Sequence, residues 1–200
     1  MPKVFLPATL AVTLLLFSWT GIAFAYSYAE AEDPMVKLFR SAIAAATDDN
    51  WNEVSGLSKK GIALQQNHIF PADHIAPRIE NSIAEKDVSK TAEHFANLVY
   101  LSIREKLHQN RKENFSNFKN AKARLQLAYK SYLDVLDGNV KKQNKDRSST
   151  ILEQFKIALA GLGNPGLFGI GKKSPDTAKY DQAVKSIEGL IVKTFPGFTR

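Results

Sequence analysis

Four histidines, His68, His74, His94 and His108, fall in one stretch of this 200-residue chain. Neutral imidazole is a common ligand for transition metals and an axial ligand of haem. His68 and His74 flank Phe70-Pro71, a bend at which two rings can converge on a metal ion. His94 and His108 share nearly one helix face but are separated by ~21 Å along it, at 1.5 Å per residue, so they cannot share one metal. A haem held without covalent attachment needs one or two His or Met ligands in an apolar slot of a bundle. His74 or His94, with Met35, are the candidates for that role. His108 is the poorest ligand, because Lys106, Arg111 and Lys112 surround it with positive charge.

Other chemistry has less support. The chain has no cysteine, which excludes thiolate nucleophiles, zinc-thiolate sites, cysteine-ligated iron–sulfur clusters and covalent haem attachment through CxxCH. Glu80, Glu85, Glu93 and Glu105 do not form the paired ExxH pattern of di-iron bundles, and no GxSxG is present. Gly166, four residues, then Gly171-Lys172 matches the start of a phosphate loop. Lys173 stands where the magnesium-binding hydroxyl belongs, so no nucleotide partner is expected. The segment reads instead as a surface loop, or a backbone nest for an anionic group.

Residues 104–147 hold 12 Lys and Arg against 5 Asp and Glu, interleaved with Phe115, Phe118, Tyr129 and Tyr132. Such a mixture suits an anionic surface, although aromatics at helical spacing also read as core and the lysines as a solvated face. The formal net charge is +7.

The elements that must position these residues read as helices. Asp33-Pro34 is an N-cap followed by proline at the first helical position. Met35, Leu38, Phe39, Ala42, Ile43 and Ala46 follow at helical spacing. A second helix runs from Trp51 to about Asn67, a bend covers Ile69 to Pro77, and Ile75, Ile79 and Ile83 mark a third. Asp87 caps a fourth. A fifth is expected from about Asn114 to Asp137, where Asp137-Gly138-Asn139 reads as a stop. Ile151 to Leu159 mark a sixth, Gly161 to Pro175 is glycine-rich and irregular, and Asp176 to Thr194 forms the last. The expected fold is all-α, an antiparallel bundle of six to seven helices in one domain.

The N-terminus carries an export signal. Met1-Pro2-Lys3 is a cationic start, residues 4–17 are uncharged and mostly apolar, and Ala23-Phe24-Ala25 ends a small-residue segment. The apolar run is shorter than the roughly 20 residues that span a bilayer. We therefore expect a signal peptide over 1–25 and a periplasmic or secreted helical domain over 26–200 that does not span a membrane. Its formal charge is +6, since Lys3 is the only ionisable side chain in the signal.

Ala44-Ala45-Ala46 followed by Asp49-Asn50-Trp51 resembles the helical units of extracytoplasmic domains that accompany bacterial iron permeases, over roughly residues 35–135. The resemblance implies an acidic ExxE-type iron motif, which the chain lacks. Arg104-Glu105 matches only the start of the permease's REGxxE motif, so no residue role is carried over. The sequence thus leads to two functional expectations. One is an exported bundle binding a transition metal at His68 and His74, or a haem through His74, His94 or Met35, in iron handling or electron transfer with a periplasmic redox or metal partner. The other is a cofactor-free structural or binding protein that uses a basic face on anionic surfaces. Catalysis has no motif behind it.

Overall fold

The structure, a computed structural model, describes residues 32–166 and 170–198. The expected signal peptide and its cleavage site lie outside the described residues. The helices are α1 (Pro34–Thr47), α2 (Trp51–Gln65), α3 (Ala76–Ala84), α4 (Val88–Lys112), α5 (Phe118–Ser131), α6 (Asp137–Gln143), α7 (Lys145–Gly161) and α8 (Thr177–Thr194). A π-helical turn, Tyr132–Leu136, joins α5 to α6, so these two form one continuous helix and the bundle has seven helices among the described residues. No helix among them is long and apolar enough to cross a membrane.

Local chemistry sets the helix starts. The side chains of Asp33, Asn50, Asp87, Asn117, Asn144 and Asp176 each accept a backbone N–H from the first turn that follows. Each thereby satisfies a donor that has no partner within its helix.

The fifth helix departs from the expected bounds at both ends. Asn114 and Phe115 adopt left-handed φ values of 48° and 54°, so they close α4, and Asn117 caps α5 instead. At the other end Asp137-Gly138-Asn139 does not stop the helix. The Asp137 carboxylate accepts from Tyr132 Oη at 3.1 Å and Ser148 Oγ at 2.6 Å, tying it to α7 rather than to a terminating turn. Val140 is fully buried and holds one further turn against the core. The helix ends at Asn144, whose side chain caps α7.

α4 is the axis of the fold. Every residue from Phe95 to Arg104 is buried, so this stretch is enclosed on all faces, as a helix without a solvent side must be. α1 runs antiparallel to it. Asp33 at the start of α1 meets Ser102 and Lys106 late in α4, and Asp49 just after α1 pairs with Lys86 just before α4 at 3.4 Å. α2 crosses them at Gly61, where an added Cβ would lie 3.1 Å from Leu98 Cδ1 and 3.6 Å from Met35 Sδ.

α7 and α8 also pair antiparallel. Gly161 at the end of α7 rests on Tyr180, a Cβ there falling 3.0 Å from the Tyr180 nitrogen. Arg147 at the start of α7 donates to Thr194 Oγ1 at 2.8 Å at the end of α8. One continuous hydrophobic core joins all the helices.

Candidate functional site

The residues expected to bind a metal or haem are distributed as follows. His68 and His74 are exposed in the α2–α3 connection. His94 is half-buried on α4. Partial desolvation of the ring, aided by Arg78 and opposed by Asp73, holds the His74 imidazole below its ordinary pKa. Burial and Arg78, opposed by Glu93, do the same for His94. Both rings thus lie in the field of one guanidinium. Met35 is sealed in the core where α1, α2 and α4 meet. Among the described residues no group of three or more His, Asp or Glu is placed to hold a metal ion.

His108 is engaged elsewhere. Its Nε2 lies 2.7 Å from Glu188 Oε1 on α8, and its ring meets Phe70 edge-on at 4.9 Å. Arg104 Nε reaches the same Glu188 oxygen at 3.3 Å, while its guanidinium lies 3.8 Å from the Phe70 ring centroid, a cation–π contact. Burial raises the Glu188 pKa, but the His108 hydrogen bond and the Arg104 charge outweigh it, and the net shift is downward.

A second polar node was not expected from sequence. Asp33 is 3% exposed. Its carboxylate accepts from Met35 N–H at 2.9 Å, Ser131 Oγ at 2.9 Å, Ser102 Oγ at 3.1 Å and Lys106 Nζ at 2.7 Å. Lys106 Nζ also donates to Ser102 Oγ at 2.6 Å. A serine and a lysine four residues apart on one helix can form a nucleophile and its base. Here the lysine is ion-paired to a buried carboxylate. Burial raises the Asp33 pKa, but the charge and hydrogen bond of Lys106 bring it below the ordinary value. The carboxylate is ionised and faces Lys106 Nζ at 2.7 Å. Asp33, Ser102, Lys106 and Ser131 together lock α1, α4 and α5, and the lysine is committed to the ion pair. Ser102 and Lys106 at i, i+4 were the signal that could have drawn attention to it.

The third feature is one end of the bundle. The C-terminus of α4, the N-terminus of α5, the end of α7 and the start of α8 meet around Tyr180. Its hydroxyl donates to Leu107 O at 2.9 Å and accepts from Asn110 Nδ2 at 3.1 Å. Asn110 Nδ2 also donates to Ala121 O on α5 at 3.0 Å, and the Phe115 ring meets the Tyr180 ring at 5.0 Å.

The charges carried here are mostly positive. Arg111 pairs with Asp181 at 2.7 Å, and Arg124 pairs with Glu113. Asp176 is the α8 cap. Beyond these, the same end carries Lys112, Lys122, Lys172, Lys173 and Lys179, with no matching set of carboxylates among the described residues. A small cleft of about 260 Å³ between α4 and α8, lined by His108, Arg111, Asp181, Lys185 and Glu188, opens beside it.

The glycine-rich segment joins α7 to α8 at this end through a paired stem. Asn164 and Lys173 exchange both backbone hydrogen bonds at 2.8 Å. Gly163 and Gly166 have φ values of 76° and 74°, and a Cβ on them would lie 2.5 Å from Lys173 O and 2.4 Å from Ile170 O, so the stem admits no side chain there. Ile170 is 81% exposed. Lys172 lies in the returning leg, and α8 begins only at Thr177, with the Asp176 carboxylate on its first-turn N–H. A phosphate loop instead delivers phosphate to the helix start.

At the opposite end a groove of about 370 Å³ is lined by Phe39, Glu93, Val135, Gln143, Phe195 and Phe198, among others. No family model matches the chain, and comparison with curated proteins and with solved structures finds no match.

Proposed function

We propose that this chain is an exported, cofactor-free binding protein that attaches through the basic end of its bundle to an anionic surface. The observation that supports this reading is the convergence of lysines from α4, α5, the α7–α8 connection and α8 on one end, where the described carboxylates are already paired or capping. Such a surplus attracts polyanions and steers them from a distance, with an effect that fades over about 8 Å at physiological salt. The end is also rigid, because Tyr180 and Asn110 tie three helices there, so little ordering cost opposes binding. The test is retention on an immobilised polyanion such as heparin as salt is raised. Charge reversal of Lys112, Lys122 and Lys179 should lower the eluting salt concentration, with the circular dichroism unchanged. Unchanged elution would refute the reading.

A metal or haem function, in iron handling or electron transfer, is the second reading. It draws support from His74 and His94, whose lowered pKa values favour the neutral imidazole that ligates metals. His68 and Met35 are the further candidates. An absorption spectrum and elemental analysis of protein from its native host decide it. A haem band or stoichiometric metal lost in His74→Ala or His94→Ala would establish it over the first reading.

A further inference from the structure

We infer that the groove at the end of the bundle away from the lysines binds a small organic amine, an ammonium group on an apolar body, through the Glu93 carboxylate. This goes beyond the basic-end reading and does not depend on it. Every residue that lines the groove is described, and Glu93 is the one titratable side chain among them. On a chain of formal charge +7, the groove thus presents a ligand with a carboxylate and no cation. Its volume of about 370 Å³ suits a small ligand.

The walls come from three parts of the fold. Phe39 of α1, Val135 of the π-helical turn and Phe195 after α8 are half-buried, so each keeps apolar surface that the core does not cover. Val135, Asn139 and Gln143 follow at i, i+4 and i+8, one stripe of the continuous α5–α6 helix. Gln143 Nε2 donates to Thr194 O at 3.4 Å, which leaves its amide oxygen as an acceptor. The facing wall is the turn Phe195-Pro196-Gly197-Phe198, closed by Phe198 N–H on Phe195 O at 2.9 Å. Its two rings stack at 4.6 Å, and Phe198 packs on Tyr100 at 5.5 Å. A site with walls tied in this way needs little ordering to bind.

Glu93 is open to a ligand. Its Oε1 lies against Gly197, where an added Cβ would be 3.0 Å away. Lys90, one turn earlier, is held by Glu85 at 2.7 Å and Asp87 at 3.5 Å. Arg78 donates to Gly197 O at 2.9 Å and does not line the groove. Among the described residues Glu93 enters no hydrogen bond or ion pair. A neutral or anionic molecule filling the groove would cover the carboxylate without a partner, whereas an ammonium meets it with a charge-assisted hydrogen bond. A calcium ion takes six or more oxygens, several of them from carboxylates, and Glu93 stands alone. The basic end does not repel such a ligand. Lys112 is about 28 Å along α4 from Glu93, at 1.5 Å per residue, more than three screening lengths at physiological salt.

The probe is phenethylamine, titrated into the full chain at physiological salt and followed by ligand-observed NMR. It should bind saturably. Ethylamine, which lacks the ring, should displace it only at about tenfold higher concentration or more, and phenylpropionate, of nearly the same shape and opposite charge, should not displace it. Glu93→Gln should weaken phenethylamine about tenfold, the scale of a hydrogen bond losing its charge. Glu93→Lys should abolish its binding and strengthen that of phenylpropionate relative to the parent. Glu93 is exposed, so both variants should fold, with circular dichroism as the check. No saturable binding of phenethylamine, or displacement by phenylpropionate as effective as by phenethylamine itself, would overturn the proposal. Equal binding by the parent and Glu93→Gln would overturn the assignment to this groove. Ethylamine as effective as phenethylamine would reduce the site to a surface ion pair and overturn the role of the apolar walls.

Discussion

Asp33→Asn isolates the value of the buried charge in the α1–α4–α5 lock. The substitution keeps the shape and a side-chain oxygen, so the N-cap to Met35 survives. It removes the negative charge and leaves the Lys106 ammonium facing a neutral amide. Losing one partner of a buried ion pair costs about 3–5 kcal/mol. Lys106 retains 16% side-chain exposure, so water relieves part of this, and about 3 kcal/mol is expected. Asp33→Ala should cost about 1 kcal/mol more, the price of the cap. Lys106→Met strands the carboxylate, and with the lysine charge gone the burial contribution raises the Asp33 pKa.

The signs with pH differ between these proteins. In the parent the folded pKa lies below the ordinary value of 3.8. Its contribution is therefore complete above that value and disappears as pH falls through the lower folded pKa. In Lys106→Met the raised pKa reverses the slope, so acidification relieves the defect. Urea denaturation followed by circular dichroism at neutral and acid pH measures all of this. The double variant Asp33→Asn, Lys106→Met should be more stable than the sum of the two single losses by about 2 kcal/mol or more. Additivity within experimental error, or a cost under about 1 kcal/mol for Asp33→Asn, would refute the claim that the pair is coupled and buried.

Three further substitutions probe the fold. Gly138→Ala should stabilise the protein by about 0.5–1 kcal/mol, because a Cβ there meets nothing within 4 Å and the helix runs through it; a loss in thermal denaturation would mean that the helix stops at Gly138. Gly61→Ala should destabilise by about 1 kcal/mol net, since overpacking against buried Leu98 exceeds the gain in helix propensity, and a raised urea midpoint would show that the crossing is loose. Tyr180→Phe should cost about 1–2 kcal/mol by removing the hydroxyl that bridges Leu107 and Asn110, and should speed amide exchange in the last turn of α4; unchanged exchange there would argue against the hydroxyl as a tie.

Helix existence was legible because capping residues and apolar spacing agree at most starts. Asp33-Pro34, Asn50, Asp87 and Asp176 each stand where a helix begins. The errors came where tertiary contacts override a local signal. Asp137-Gly138-Asn139 has the composition of a stop, but Asp137 is committed to Tyr132 and Ser148 and Val140 is buried. Asn114 looked like a helix start because left-handed residues are not visible in composition. Of the site, the basic composition of residues 104–147 was visible. The gathering of Arg111, Lys112, Lys122 and Arg124 at one end was not, since that depends on α4, α5 and α8 meeting around Tyr180. The Asp33–Lys106 pair spans 73 residues, and no local pattern announces a contact of that range.

The second half of α4 explains why the basic end can act as one surface. Within three turns, Ser102 and Lys106 hold Asp33 at the start of α1, Arg104 and His108 hold Glu188 on α8, and Asn110 holds both Ala121 on α5 and Tyr180 on α8. These bonds use polar side chains on more than one face of the helix, and together they fix α1, α5 and α8. A purely apolar α4 would bury as well but would fix the rotation and register of those neighbours less uniquely, because apolar contacts lack direction. The lysines of α5 and α8 are carried by helices fixed in this way, and the stem of the α7–α8 connection follows directly from the Gly161–Tyr180 contact. Positive charge that would be diffuse on independent helices is thereby held in one arrangement, and binding a polyanion there orders side chains but no helices.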